Sequence, residues 1–283
     1  MLKNAIEAYT KQSMVHEAHL NHIPIIIEVL EELYAIGDSL NIESGNGMDS
    51  RCHRIQVRVL VNFLSGLMKS ISALLSNRCL EGVDPLARVV MEHSVNIMYL
   101  FEGKAKAHSK QFMRNYIDTT LKKSERWYEY AKSNGDETQL TLAKNKLDFL
   151  KTVKEVNHQL YDSGVKKWPN AYDRFLNVGY EHAYVTLFAM NSDSVHSLSE
   201  DVYNYCLLPN YPEELQPHIA RSYRAMSKSM SIYLAMKSVG FYGLALLTVS
   251  NRLNSSDDII GILTKLNEVA LEHEEEAVAR WHG

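Results

Sequence analysis

Cysteine, proline and glycine are all scarce in this chain of 283 residues, and each scarcity excludes a class of structure. The 3 cysteines, Cys52, Cys79 and Cys206, are odd in number and widely spaced, so they provide neither a disulfide framework nor a four-cysteine zinc site. With only 6 prolines and 13 glycines, the chain has little material for the many turns of an all-β fold. Hydrophobic residues make up 46% of the sequence, which excludes a disordered chain.

Long apolar runs and common catalytic motifs are missing as well. The first residues contain no apolar signal core, and the uncharged stretch over residues 238–251 is shorter than the roughly 20 residues that cross a bilayer. We therefore expect a cytoplasmic protein with no membrane partner. No Walker loop, Gly-x-Gly-x-x-Gly, Gly-x-Ser-x-Gly or His-Glu-x-x-His motif occurs, so the sequence predicts no cofactor and no metal, while catalysis of another kind stays open.

Apolar residues recur at helical spacing along most of the chain, and no stretch alternates apolar and polar residues for long enough to form a sheet. The pattern predicts an all-α bundle whose long helices span about residues 2–36 with a break near Pro24, 50–76, 84–103, 106–133, 137–161, 216–252 and 255–279. Prolines and glycines punctuate residues 164–217, so we expect an irregular segment of short helices there, packed across the bundle. Residues 1–50 are expected to form an N-terminal helical arm or lid, and residues 51–283 one continuous helical bundle domain.

Charge is distributed unevenly along the chain. The formal net charge of −4 argues against a surface built for non-specific nucleic-acid binding, but residues 1–50 carry −6, residues 104–167 carry +6 and residues 254–283 carry −5. The basic middle either attracts a polyanion or is neutralised by the acidic ends, and both interpretations stay open. If the polyanion is RNA, the predicted contacts are five basic residues on two helices: Arg51, Arg54, Lys122, Lys123 and Arg126.

The helix predicted to begin at Asp84-Pro85, with Asp84 as its N-cap, is the most informative segment. Arg88 and Glu92 are four residues apart on it, so their side chains are expected to meet. This pair is either an ordinary ion pair on a helix surface or part of a functional site. Beside the pair, one apolar stripe is expected to face the core: Leu86, Val90, His93, Ile97 and Leu100.

A second polar segment, running from Asn191 to His196, lies in the irregular region. A histidine among small polar residues is well placed to titrate near neutral pH, which suits a general base. Alternatively, His196 caps a helix or lies in a solvated loop. The segment is therefore a candidate site whose role depends on what it contacts.

Together, the two segments resemble an uncharacterised bacterial all-helical family. The resemblance covers roughly residues 55–250 and rests on two short motifs: Arg88-x3-Glu92 with Tyr99-Leu100, and Ser192 or Ser194 with Val195-His196. More distantly, the chain resembles the HEPN superfamily. The ribonuclease members of that superfamily carry Arg-x4–6-His, sometimes with Asn in place of Arg.

Two stretches fit the HEPN spacing, Arg88-x4-His93 and Asn191-x4-His196. We interpret His93, which lies on the apolar stripe, as a buried core histidine. The HEPN resemblance implies metal-independent cleavage of RNA, in which His196 removes the proton of the ribose 2′-OH while Arg88 stabilises the charge on the phosphate. Asn191 completes the motif, and Glu92 holds Arg88 or orients the imidazole. The resemblance also implies a homodimer, a role in antiviral defence or as a toxin, and RNA and an operon-encoded regulator as partners.

A second hypothesis, from another class, is a non-catalytic helical module that binds a partner protein or a nucleotide. In such a module Arg88, Glu92 and His196 form a buried polar network that fixes helix register. A third hypothesis, a metal-dependent oxidase, has little support. The chain contains a single Glu-x-x-His, at Glu155 and His158, whereas a di-iron bundle needs two such pairs and two further glutamates.

Two other groups of residues carry weaker signals. Histidines recur every third residue of the first helix and drift around it, so we expect them on the surface: His16, His19 and His22. Aromatic residues on the basic helix either stack on the bases of single-stranded RNA or pack between helices: Trp127, Tyr128 and Tyr130.

Overall fold

The computed structural model describes residues 2–42, 51–103, 105–162, 164–189, 199–255 and 258–278, and every regular element among them is helical. The elements are, in chain order, α1 (Leu2–Ala18), a 3₁₀ turn (His19–His22), α2 (Ile23–Ser39), α3 (Arg51–Ser76), α4 (Val83–Phe101), α5 (Ala105–Asn134), α6 (Glu137–Val156), α7 (Ala171–Asn177), α8 (Glu181–Ala183), a π-helix (Tyr184–Phe188), α9 (Ser199–Leu207), α10 (Gln216–Leu253) and α11 (Ile259–Val278). Short 3₁₀ turns also occur at Leu80–Gly82, His158–Tyr161 and Leu208–Asn210. The predicted all-α class is confirmed.

Helix ends follow the sequence signals closely. Gly103 follows α4 with a positive φ of 52°, a left-handed conformation that glycine adopts without strain. Pro24 lies in the first turn of α2, directly after the 3₁₀ turn, where its missing N–H costs no helical hydrogen bond. One expectation is wrong: α4 begins at Val83, so Asp84 lies inside the first turn and is not the N-cap.

α10 runs through the main core, and α2, α3, α4 and α11 pack around it. Each contributes buried apolar side chains to this core, among them Leu30, Leu64, Ile97, Val239 and Ile259. Complete burial of such a side chain is worth about 1.5–3 kcal/mol, so this contact surface dominates the stability of the fold. The N-terminal residues that were expected to form an arm or lid lie against the same core, since α2 is one of its helices and α1 packs along α10.

α4 is apolar on two faces, of which the sequence pattern revealed one. Val90, Ile97 and Leu100 of the predicted stripe lie in the main core. A second stripe is also buried, at Ala87, Met91, Val95 and Met98. It packs with Phe175 of α7 and Phe188 of the π-helix, which form a second, smaller core. Residues 171–188 of the irregular segment therefore pack across the bundle as expected, and they do so on α4.

Two helices, α3 and α10, are long and apolar enough to cross a membrane by length and composition alone. Core helices of soluble proteins meet the same criteria, and 67% of the apolar window of α10 is buried inside the protein. This finding assigns neither helix to a membrane. The cytoplasmic location stays a prediction.

Candidate functional site

Arg88 is held by the last residue of the π-helix. Its Nη1 donates a hydrogen bond of 2.7 Å to the carbonyl oxygen of Phe188, and its guanidinium carbon lies 4.1 Å from the centroid of the Phe188 ring. Phe188 is buried because its ring packs against Phe175 at a centroid distance of 5.2 Å. Phe188 is the only partner of Arg88 among the described residues, and within them no acceptor takes the other guanidinium N–H groups.

Glu92, one turn further along α4, binds a different arginine, Arg174 of α7. Arg174 Nη2 lies 2.7 Å from Glu92 Oε1, and Arg174 Nη1 donates a 2.7 Å hydrogen bond to the Pro169 carbonyl oxygen. Arg174 is only 5% exposed, and its guanidinium lies 5.5 Å from the centroid of a Trp168 ring. Burial lowers the pKa of Arg174 below its ordinary value, and the Glu92 carboxylate opposes that change. The pair fastens α7 to α4.

The predicted contact between Arg88 and Glu92 is therefore wrong. Within the described residues no ion pair joins them, because Glu92 is taken by Arg174. A spacing of four residues along one helix permits an ion pair but does not ensure it. The guanidinium of Arg174 is removed from water, so it gains more free energy from a carboxylate than the half-buried guanidinium of Arg88 does. Sequence analysis missed Arg174, for which the available signal was an arginine between the aromatic residues Tyr172 and Phe175 in a short helix.

His93 lies between α3 and α4 and is half-buried, so it borders the core instead of lying fully inside it as expected. Its ring meets the edge of the Phe63 ring at a centroid distance of 5.0 Å. Burial lowers the pKa of His93, and the nearby Glu92 carboxylate opposes this. His93 is therefore neutral near pH 7 and packs as an aromatic side chain.

Asn191 and His196 lie outside the described residues, as do Ser192, Ser194 and Val195 of the same motif. The structure does describe where the chain enters this segment. Phe188, the partner of Arg88, precedes Asn191 by three residues. Three residues of extended chain span at most about 11 Å.

Arg51 and Arg54 lie at the start of α3, away from Arg88. Arg51 is exposed and Arg54 is half-buried, and both line a cavity of about 250 Å³. α3 and α4 run antiparallel, as two ring contacts indicate: His53 with Phe101 at 4.8 Å and Phe63 with His93 at 5.0 Å. Arg88 is therefore level with about residue 67 of α3, and Arg54 lies about 13 residues, or about 20 Å, from that level.

The other predicted RNA-binding residues lie on α5, which forms a hairpin with α6. All three basic side chains are exposed there: Lys122, Lys123 and Arg126. Trp127 donates a 3.2 Å hydrogen bond to Gln139 of α6 and so joins the two helices. Tyr130 is 68% exposed, which excludes the interpretation that it packs between helices.

Two of the three N-terminal histidines, His16 and His19, are buried, contrary to expectation, and His22 is half-buried. His19 is completely buried and His16 is 9% exposed. The α-helix ends at Ala18, and in the 3₁₀ turn that follows, side chains three residues apart eclipse each other instead of drifting. His19 and His22 therefore stack, with ring centroids 5.4 Å apart, and both contact His273 of α11. Among the described residues, no group of three or more histidine, cysteine or acidic side chains is arranged to hold a metal ion.

The segment from Asn191 to His196 and the contact of Arg88 with Phe188 both lie in the part of the chain that matches the model of a protein family. Residues 57–211 match the model of a family of unknown function, DUF5677. This is more than half of the chain of 283 residues. The chain belongs to this family. Membership agrees with the expected uncharacterised helical family, and the HEPN resemblance stays a prediction. No curated protein and no solved structure matches the chain.

Proposed function

We propose that the chain is a metal-independent ribonuclease of HEPN-like type, with its site where α4 meets the end of the π-helix. The observation that carries this proposal is the contact of Arg88 with Phe188, three residues before Asn191. It ties the guanidinium on α4 to the chain that leads into the Asn191–His196 segment. Arg88 and His196 can share a site only if the segments that carry them lie close together. Arg88 and Phe188 are 100 residues apart in sequence, so their contact is a consequence of the tertiary fold.

In the proposed reaction, the His196 imidazole takes the proton of a ribose 2′-OH, and the 2′ oxygen attacks the adjacent phosphorus. Arg88 donates its remaining N–H groups to the phosphate oxygens, on which negative charge grows. The bond from phosphorus to the 5′ oxygen breaks, and that oxygen takes up a proton. The products are a 2′,3′-cyclic phosphate and a 5′-hydroxyl, and a second copy of the chain completes the site.

Glu92 acts indirectly in this proposal. Its ion pair with Arg174 keeps α7 on α4, and α7 and the π-helix share the second core through Phe175 and Phe188. Glu92 thereby helps to position the carbonyl group that holds Arg88. Arg51, Arg54 and the basic residues of the α5–α6 hairpin are proposed to bind RNA phosphates at a distance from the reaction.

The test is incubation of the purified full-length chain with mixed cellular RNA in excess EDTA. We expect cleavage to give fragments that end in a 2′,3′-cyclic phosphate. Cleavage should be lost in His196→Ala and in Arg88→Ala, while Arg88→Lys, which keeps the charge, should retain part of it. Arg221→Ala is the matched control, since Arg221 is an exposed arginine paired with Glu17, and it should cut RNA like the parent.

The proposal fails if the pure parent chain leaves RNA intact in EDTA. It also fails if cleavage survives in both His196→Ala and Arg88→Ala, because a contaminating nuclease is then responsible. Melting temperatures of all variants are measured alongside, so that lost activity is separated from lost folding. Charge contacts are checked separately: Lys122→Ala and Arg54→Ala should weaken RNA binding and reduce its dependence on salt.

A non-catalytic helical module for a partner protein or nucleotide is the second candidate function, and one observation favours it. Glu92 binds the buried Arg174 and so fixes the position of a neighbouring helix, which is the structural role that this hypothesis gives it, with Arg174 in place of Arg88 as its partner. The module predicts that the parent never cuts RNA and that Arg88→Ala lowers the melting temperature instead.

A further inference from the structure

A cavity of about 440 Å³ lies between α1, the middle of α10 and α11, outside residues 57–211. Most of the lining surface is apolar or aromatic and comes from Met226, Met230, Tyr233 and Ala277. The polar groups of the lining belong to Gln12, His16, Ser229, His273 and Glu274. The volume falls within the ~300–1,000 Å³ of small-molecule sites, which combine an apolar lining with few polar groups. The cavity therefore has the size and composition of a ligand site.

Ser229, in the cavity lining, belongs to a series of hydrogen bonds that joins α10, α11 and the 3₁₀ turn. Ser229 Oγ lies 2.6 Å from His19 Nδ1, and His19 Nε2 lies 3.0 Å from Glu276 Oε2. On its other side, Ser229 Oγ lies 3.1 Å from His273 Nε2, and His273 Nδ1 lies 3.2 Å from His22 Nδ1. Ser229, His19 and His273 are each no more than 3% exposed.

The carboxylate at one end of this series of hydrogen bonds determines the direction of each bond in the series. A carboxylate only accepts, so His19 Nε2 carries the hydrogen and His19 Nδ1 accepts the hydroxyl hydrogen of Ser229. Ser229 has no second hydrogen, so His273 Nε2 donates to Ser229 Oγ. His273 Nδ1 then accepts from His22 Nδ1. Burial lowers the pKa of His19 and of His273, which keeps both rings neutral near pH 7, as this arrangement requires.

We propose that Ser229, His19 and Glu276 form a serine hydrolase site that cleaves uncharged carboxylic esters bound in this cavity. A serine whose hydroxyl donates to an imidazole, with the imidazole held from its other nitrogen by a carboxylate, has the geometry of an activated nucleophile. Apolar side chains around the serine, Met226, Met230 and Ala277, suit an uncharged acyl chain. The site is separate from the proposed RNA site and does not depend on it.

The reaction balances with an ester and water. Ser229 Oγ attacks the ester carbonyl carbon while its proton passes to His19 Nδ1, and Glu276 stabilises the imidazolium. His19 then gives that proton to the departing alkoxide, which leaves as an alcohol, and the acyl group stays on Ser229. Water attacks the acyl group, its proton goes by way of His19 to Ser229 Oγ, and a carboxylic acid is released.

Two further side chains have positioning or stabilising roles. The Gln12 carbonyl group accepts a 2.9 Å hydrogen bond from Ser222, which leaves its amide N–H groups as donors for the developing oxyanion. His273, held by His22, donates to Ser229 Oγ and so fixes the orientation in which the hydroxyl donates to His19.

The test uses the full-length parent, an alkyl fluorophosphonate and p-nitrophenyl butyrate. We expect the fluorophosphonate to form one covalent adduct, located on Ser229 by peptide mass spectrometry, and to abolish hydrolysis of the ester. Ser229→Ala should neither react nor hydrolyse. Ser238→Ala is the matched control, because Ser238 is a buried serine of the same helix that donates to its own backbone, at Ala235, and it should behave like the parent.

Glu276→Gln tests the positioning role of the carboxylate. The amide oxygen still accepts from His19 but does not stabilise an imidazolium, so kcat should fall about 100-fold or more while KM and the melting temperature stay close to those of the parent. Adduct mapping on the parent decides the matter without any variant: a parent in which Ser229 stays unmodified overturns the proposal. Ester hydrolysis that persists in a folded Ser229→Ala overturns it as well.

Discussion

At the scale of the residue, burial decides what an ion pair is worth. Glu92–Arg174 and Glu17–Arg221 have the same N–O distance of 2.7 Å, and each glutamate side chain is 40% exposed. The arginines differ, since the Arg174 side chain is 6% exposed and that of Arg221 is 48% exposed. An exposed guanidinium that loses its partner is hydrated, whereas a buried one is left with an uncompensated charge.

Glu92→Gln is therefore expected to destabilise the protein much more than Glu17→Gln. We expect Glu92→Gln to cost about 2 kcal/mol of unfolding free energy, less than a fully buried pair because Glu92 is itself partly hydrated. Glu17→Gln should leave the urea midpoint almost unchanged. The measurement is urea unfolding of parent and both variants, followed by circular dichroism. Equal losses in the two variants would contradict the role assigned to Arg174.

Backbone conformation is the second effect on stability at this scale. Alanine substitutions at two glycines separate it from other effects. Gly103 has a φ of +52°, whereas Gly66 lies inside α3, and a Cβ atom added at either position meets nothing within 4 Å. Substitution by alanine restricts the unfolded chain equally at both positions. The difference between the two variants therefore reports the folded backbone alone.

Gly103→Ala should lower the unfolding free energy by about 1–2 kcal/mol, because alanine is strained in the left-handed conformation. Gly66→Ala should raise it by about 0.5–1 kcal/mol, because alanine is the better residue inside a helix. Thermal unfolding of the two variants measures both changes. A Gly103→Ala variant as stable as the parent would mean that α4 does not end in the conformation described.

At the scale of the element, helix geometry places side chains that the sequence pattern misplaces. A continuous α-helix over residues 2–36 would spread His16, His19 and His22 around its circumference. The 3₁₀ turn at His19–His22 instead aligns His19 with His22 and turns both towards α11. Likewise, the two-sided burial of α4 arises because α7 and the π-helix cover a face that an amphipathic helix leaves to solvent.

At the scale of the whole molecule, the histidine network joins the two ends of the chain. His19 contacts Ser229 and Glu276, which are 210 and 257 residues away in sequence. Burial and the neighbouring histidines lower the pKa of His273 to about 3, while an unfolded histidine titrates near 6.5. Protonation of these histidines therefore changes the free energy of unfolding of the whole protein.

Stability is expected to fall as the pH is lowered below about 6.5. Between that value and about 3, the unfolded chain binds a proton at residue 273 that the folded chain does not, and the lowered pKa of His19 acts in the same direction. From pH 7.5 to pH 5.0, His273 alone should remove up to about 2 kcal/mol of unfolding free energy. His273→Gln, which does not ionise, should lose less over the same interval. His158→Gln, at an exposed histidine, is the control and should match the parent in urea unfolding at both pH values.

Much of the fold was predictable from local signals. Periodicity located the long helices to within a few residues, and Gly103 and Pro24 marked a helix end and a helix start because their backbone preferences act within one turn. The candidate site was predicted in part. Arg88 was identified, but its contact with Phe188 was not. Arg174 was missed because aromatic neighbours in sequence are a weak signal, and its burial depends on how α7 packs on α4.

The sequence by itself determined the all-α class, the helices and most of their ends, since hydrogen bonding and apolar spacing within a helix involve residues only a few positions apart. Only the tertiary structure decided which arginine Glu92 binds and that His19 lies between Ser229 and Glu276. Those contacts join residues 82 to 257 positions apart. They depend on how helices pack against one another, which the periodicity of each single helix leaves open.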